Sequence, residues 1–148
     1  MSGIKHKVLE VCKSMQSETI RNLKAAVDES QKAANEYGPP KDRYDSFRTQ
    51  LLRKRDMYAL QLSKAMEQKD ILGRIEPGKK LDKVEFGALV FTDKQNIFVS
   101  IGLGKLEVNN QTFFAISPQV PIFKALQGRK AGEEFTFNNN KFKILEII

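Results

Sequence analysis

Two carboxylates, Asp42 and Asp45, follow closely on the break Gly38-Pro39-Pro40. On a helix that spacing puts both on nearly one face. There they can add oxygen ligands to a hard divalent cation that another molecule holds incompletely. The same side chains also suit a structural task. Asp42 is placed to be an N-cap after Pro40-Lys41, and Asp45 to favour the positive end of the helix dipole. Lys41 and Arg43 flank the pair. They oppose cation binding but can contact RNA or nucleotide phosphates. A second basic group, Arg53-Lys54-Arg55 with Arg48 nearby, lies further along. Residues so close together on a helix spread around its circumference. Some cover an apolar seam with their aliphatic stems, and the rest face solvent, nucleic acid or an acidic protein surface.

Other chemistry is largely excluded by composition. Cys12 is the single cysteine and His6 the single histidine, so neither a disulfide nor a zinc cluster of this chain's own can form. No Ser/His/Asp or Cys/His constellation is available. Cys12 lies in a helical pattern and reads as a small packing residue. The stretch Ile101-Gly102-Leu103-Gly104-Lys105 holds a lone G-x-G without a third glycine or a following helix, so it is not read as a nucleotide loop. The 148 residues are 41% hydrophobic and 29% charged, with 25 basic and 18 acidic side chains and a net charge of +7. A core is affordable, exposed surface is extensive, and the balance favours polyanionic or acidic partners only weakly. The start Met1-Ser2-Gly3-Ile4-Lys5-His6-Lys7 lacks the apolar centre of a signal peptide. No stretch reaches the ~20 apolar residues that span a bilayer. These features lead us to expect a cytoplasmic protein without a membrane partner.

The elements that must position these residues fall into two halves, because the apolar period changes near Gly73. Ile4, Val8, Val11, Met15, Ile20, Leu23, Val27 and Ala34 recur in steps of three to five, with a phase slip near residue 18. The stripe stops at Tyr37-Gly38-Pro39-Pro40 and resumes as Tyr44, Phe47, Leu51, Tyr58, Leu62 and Ala65. Gly38 suits a positive φ at a helix end, and the residue before a proline avoids the α region. The pattern predicts two long antiparallel helices in residues 1–72, with a tip near 37–42. The first, about 4–36, is roughly 50 Å long at ~1.5 Å per residue. The break favours a hairpin within one chain, and hence a monomer, over a continuous dimeric rod.

Residues 73–148 read as β-rich. Glu85–Thr92 and Ile97–Ile101 form a hairpin around 93–96, and 105–108 and 111–116 are two further strands. Ser117-Pro118-Gln119-Val120-Pro121 opens a short helix, Ile122 to Gln127, ended by Gly128. Glu134–Phe137 and Lys141–Ile148 close a hairpin at Asn138-Asn139-Asn140, with Phe135, Phe137, Phe142, Ile144 and Leu145 as its apolar side chains. The expected fold class is α+β: an antiparallel coiled-coil hairpin followed by an antiparallel sheet with one short helix.

The segment from Ile116 to Gly132 fits I-S-x-x-x-P-I-x-x-A-L-x-G-x-x-x-G and precedes a terminal hairpin ending Ile144-Leu145-Glu146-Ile147-Ile148. Upstream, Val84-Glu85-Phe86-Gly87-Ala88-Leu89-Val90 fits V-x-F-G-x-x-V. In these motifs the chain resembles the Gre transcript-cleavage factor family. The likeness is good over 84–148 and architectural over 1–72. The resemblance implies an FKBP-like C-terminal domain docked on the rim of the secondary channel of bacterial core RNA polymerase. It implies a coiled coil reaching toward the active centre, and contact with RNA and DNA only in the elongation complex.

The family's two acidic tip residues help hold the polymerase's catalytic magnesium, and the polymerase itself then hydrolyses backtracked RNA. The resemblance therefore implies an accessory factor with no intrinsic cofactor. Asp42 and Asp45 are its tip candidates, and Lys41, Arg43, Arg48, Arg53, Lys54 and Arg55 its candidates for channel or nucleic-acid contact. Ser117 and Pro121 match the family's polymerase-binding loop, and Ile122 and Phe123 follow it. The family tip reads approximately G-D-L-x-E-N. Here Pro39 takes the first acidic position and Asp42 the second, so the tip either assists cleavage or only occupies the channel. The residues also leave open a helix start at Ser117 and Pro121, with Phe123 as a core residue. An FKBP-like prolyl isomerase and a dimeric coiled-coil adaptor are the alternatives from other classes.

Overall fold

The computed structural model describes residues 2–148. The fold is α+β, a long helical hairpin followed by a six-stranded mixed sheet with one short helix. The helices are α1 (Ser2–Tyr37) and α2 (Phe47–Leu72). The strands are β1 (Leu89–Thr92), β2 (Asn96–Val99), β3 (Gly104–Val108), β4 (Gln111–Ile116), β5 (Glu134–Phe137) and β6 (Asn140–Ile147), and α3 (Pro121–Leu126) lies between β4 and β5. The chain forms two compact units, Met15–Lys69 on the one hand and Met1–Ser14 with Asp70–Ile148 on the other. No described helix is long and apolar enough to cross a membrane.

In the unit Met15–Lys69 the two helices run antiparallel, tied together along their length. Gln16 Nε2 donates to the Ala65 carbonyl at 2.8 Å, Arg55 Nη1 to Gln31 Oε1 at 2.5 Å, and Arg48 Nε to the Ala34 carbonyl at 3.3 Å. Tyr37 and Phe47 meet ring to ring at 4.9 Å. Ile20 and Ala34 are buried from α1 and Ala65 from α2, while Leu51, Arg55, Tyr58 and Leu62 are half-buried. Those α2 positions follow alternate steps of four and three, the spacing by which two helices interdigitate. Tyr44, read from the sequence as part of this stripe, is 77% exposed and precedes the helix.

The connection is longer than the sequence predicts, running from 38 to 46. Gly38 ends α1 at φ +79°, donating its N–H to the Ala34 carbonyl at 3.2 Å, a left-handed cap that a Cβ would strain. The aspartates then hold the chain in turns for another helical turn's worth of residues. Short acceptor side chains that capture nearby N–H groups compete with helix formation in this way.

In the other unit the strand order is β3-β4-β2-β1-β6-β5. Two-residue turns at Asn109-Asn110 and Asn138-Asn139, with φ near +52° and +63° in both, close β3–β4 and β5–β6. Asparagine tolerates this conformation, whose twist matches that of the flanking strands. The sheet is not wholly antiparallel as expected, because β2 pairs with β4 in parallel. The chain leaves β2 and enters β3 one place further out, and β4 turns back into the gap between them. The first strand is also shorter than expected. Gly87, at φ +90°, shapes a turn in which Ala88 N–H donates to the Glu85 carbonyl at 3.0 Å, so β1 starts at Leu89. Leu145, expected to be apolar filling, is exposed. The β1–β6 register passes from Phe91 opposite Glu146 to Thr92 opposite Ile144, and the extra residue turns outward as a bulge.

One face of the sheet packs on α3. Val90, Ile97, Val99, Phe135, Phe142, Ile144 and Ile147 join Phe123 and Leu126 in one buried cluster. Phe135 and Phe142 stack at 4.9 Å. Strand alternation turns Leu89 and Phe98 to the opposite face, yet both are fully buried. Val8, Leu9, Cys12, Leu72 and Ile75, all buried, belong to this same unit. The start of α1 and the end of α2 thus belong to the unit that contains the sheet and bury side chains within it. Lys5 is covered there too, at 2% exposure, with its ammonium donating to the Lys79 carbonyl at 3.1 Å. Burial pushes the pKa of its ammonium down, the Glu85 charge opposing and Lys79 adding to the effect.

Candidate functional site

The connection 38–46 is organised around Asp45. Its Oδ2 accepts from the Tyr37 hydroxyl at 2.5 Å and from the Lys41 backbone N–H at 2.9 Å, and its Oδ1 from the Phe47 N–H at 3.1 Å. One carboxylate therefore closes the turn, meets the last residue of α1 and receives the first N–H of α2. Ser46, not Asp42, directly precedes the helix, so the expected N-cap at Asp42 is corrected. Asp42 instead closes a local turn, its Oδ1 accepting from Tyr44 N–H at 2.8 Å. An aspartate's competition for an N–H two residues on is a turn preference as much as a cap preference.

The hydrogen bonds hold the Asp45 carboxyl below the usual carboxylate range, the Lys41 N–H contributing most, then the Tyr37 hydroxyl, then the Phe47 N–H. The Tyr37 hydroxyl is correspondingly raised, chiefly by its bond to Asp45. A carboxyl with a depressed folded pKa stabilises the turn above its unfolded value, and that stabilisation disappears as pH falls through the folded value. The Lys41 and Phe47 amide resonances are therefore expected to move with a midpoint more acid than that of an ordinary aspartate. A titration by amide NMR checks this. A midpoint at the ordinary aspartate value, ~3.9, would show that the three bonds do not form.

The basic candidates separate by direction. Lys41 Nζ sits 5.1 Å from the Tyr37 ring centroid. Arg43 lies over the exposed Tyr44 ring at 4.8 Å and donates to its hydroxyl at 2.5 Å. Arg48 and Arg55 turn to the helix seam, Arg48 on the Ala34 carbonyl at the C-terminal end of α1, where a cation is favoured. Arg55 also pairs with Asp56 at 2.6 Å. Arg53 and Lys54 are exposed, with Lys54 6.0 Å from the Tyr58 ring centroid. The structure thus brings Lys41, Asp42, Arg43 and Asp45 into one connection and leaves Arg53 and Lys54 on the outside of α2. Tyr37 and Tyr44 were missed as tip residues. A tyrosine on each side of the break is the signal that finds them.

At the other candidate, Ser117 does not cap α3. Its Oγ accepts from Gln119 N–H at 3.0 Å, a turn that precedes the helix, and Val120 stands at the N-cap without a side-chain bond. Pro121 is exposed at the first helical position, where its missing N–H costs nothing. Ile122 is half-buried. Phe123 is 6% exposed and belongs to the core, so it is corrected as an interface anchor. Ile122 packs against the edge of that same core while keeping part of its side chain outside.

The cavities of the sheet unit add no reactive constellation. One of about 210 Å³ is lined by Lys5, Arg74, Glu76, Lys79, Glu85 and neighbours, and one of about 230 Å³ by Lys5, Lys79, Lys80, Glu146 and others. A third, of about 390 Å³, holds Phe114 as its one aromatic residue. Phe98, Phe113, Phe123, Phe135 and Phe142 are buried. Cys12 is buried, and burial pushes its thiol up to about 12 despite the neighbouring Ser100 hydroxyl, which makes it inert as a nucleophile near neutral pH.

The fold defines a protein built of a helical hairpin and a six-stranded mixed sheet unit. No protein-family profile and no curated protein sequence matches the chain. Among solved structures, that of GreA factor homolog 1 (Gfh1) protein of Thermus thermophilus is 15% identical, covering 92% of this chain and 94% of that one, with a TM-score of 0.35. Thermus aquaticus Gfh1 is 18% identical, with 90% and 92% covered and a TM-score of 0.34.

Proposed function

We propose that the chain is a monomeric accessory factor of bacterial core RNA polymerase, working in the cytoplasm and meeting RNA and DNA only in the elongation complex. In this reading the helical unit Met15–Lys69 enters the secondary channel, and the unit that holds the sheet docks at the channel rim through Ser117, Pro121 and Ile122. The motif around Ile116–Gly132 and the partly exposed turn before α3, closed by Gln119 N–H on Ser117 Oγ, support the docking. One observation carries the choice of activity. Asp45 already accepts three hydrogen bonds, so of the two tip carboxylates only Asp42 faces solvent without a structural commitment to the helix ends. A magnesium ion shared with the polymerase would gain one ligand, beside the cations Lys41 and Arg43. The geometry therefore supports occupation of the channel rather than stimulation of RNA cleavage.

The test has two parts. Core polymerase is expected to retain the intact protein, and combined Ser117→Ala and Pro121→Ala substitution to weaken binding by tenfold or more, equivalent to ~1.4 kcal/mol. On backtracked elongation complexes the protein is expected to leave the intrinsic cleavage rate unchanged while competing with an active cleavage factor. Cleavage stimulation that disappears with Asp42→Ala would reverse the choice and restore the metal-assisting reading.

A further inference from the structure

The second helix carries two stripes, and the hairpin uses one of them. Leu51, Arg55, Tyr58, Leu62 and Ala65 face the seam. On the other side of α2, turned by about 200° at 100° per residue, stand Arg53, Met57, Leu60 and Lys64. All four are exposed, Met57 by 48% and Leu60 by 59%. Their steps of four, three and four repeat the spacing of the seam, the pattern by which a helix receives another. No hydrogen bond or ion pair is formed by Arg53 or Lys64 among the described residues. No large hydrophobic side chain of α1 is comparably exposed.

We infer that Arg53, Met57, Leu60 and Lys64 form a docking stripe for a protein helix with an apolar centre and a carboxylate toward each end. The two cations lie 11 residues apart, which sets the carboxylates about 16 Å from one another at 1.5 Å per residue. Charge selects this partner over the others. A second copy would bring Arg53 against Lys64 in antiparallel pairing, or like residues together in parallel pairing, and like charges repel in both. A nucleic acid would satisfy the cations but find neither a flat ring nor a hydrogen-bonding group at Met57 and Leu60. An acidic helix satisfies ends and centre together. Resting on the proposed function, this face is the one the hairpin turns to the polymerase, independently of the loop at Ser117 and Pro121.

The experiment compares binding of core RNA polymerase by the intact protein, by M57S/L60S and by R53E/K64E, with helicity checked by circular dichroism. All four residues are exposed, so both variants are expected to fold. Each is expected to bind at least tenfold more weakly, R53E/K64E through a slower association and M57S/L60S through a faster dissociation. If the intact protein binds and both variants bind equally well, the stripe is overturned while the polymerase reading stands. If the intact protein does not bind, both fall. A dimer in sedimentation that M57S/L60S dissolves would assign the stripe to a second copy and overturn the inference as well.

Discussion

Replacing Phe123 by alanine is expected to destabilise the sheet unit by about 3–5 kcal/mol, because it removes an aromatic ring from the buried cluster between α3 and the sheet. Stability of a domain this size is typically only ~5–15 kcal/mol, so the loss takes a large share and a fraction of the protein unfolds at growth temperature. The neighbouring Ile122→Ala, at a half-buried site, is expected to cost far less. Chemical denaturation followed by circular dichroism measures both. The contrast separates two roles that the sequence leaves open for Phe123. If Phe123→Ala unfolds like the intact protein but loses its polymerase, the ring is an interface anchor and the packing described here is not the one in solution.

What was readable from the sequence is what depends on local pattern. The helical stripes, the two Asn-Asn turns and the proline that opens α3 each declare themselves within a few residues. What was not readable depends on partners distant in the chain. The parallel pairing of β2 with β4 follows from β3 occupying the outer place, and no residue of β2 marks that choice. Leu145 breaks the alternation set by Phe142 and Ile144, and nothing in its type announces that it is the residue skipped between Phe91 and Thr92 in the β1–β6 register. At the tip, Asp42 and Asp45 were legible as acidic, helix-starting residues. Which N–H groups they would capture was not, because aspartate suits turns and caps alike. Tyr37, which gives Asp45 one of its three donors, is an ordinary helix residue until the chain returns beside it. The Arg48–Arg55 group was legible as a partly seam-facing cluster, but periodicity alone did not single out Met57 and Leu60. The apolar positions of α2 are shared between two faces, and reading the seam first hides the other stripe.

The same limit applies to the core of the sheet unit, and a deletion exposes it. Val8, Leu9 and Cys12 repeat like any coiled-coil stripe, so nothing in their types distinguishes a helix partner from a sheet partner. In the structure they are fully buried in the unit that contains the sheet, with the Cys12 thiol facing the buried Ser100 hydroxyl. A chain of residues 73–148 alone therefore lacks Val8, Leu9, Cys12 and Leu72, which are buried in the same unit as the sheet. Burial of one large aliphatic or aromatic side chain contributes roughly 1.5–3 kcal/mol, so losing several at once matches the whole stability of a small domain. Residues 73–148 are expected to lack a cooperative thermal transition and to bind a hydrophobic dye. Adding residues 1–14 and 70–72 through a short linker is expected to restore the transition. A cooperative, native-like 73–148 fragment would show instead that the sheet closes on α3 alone and that the helix starts add nothing to its core.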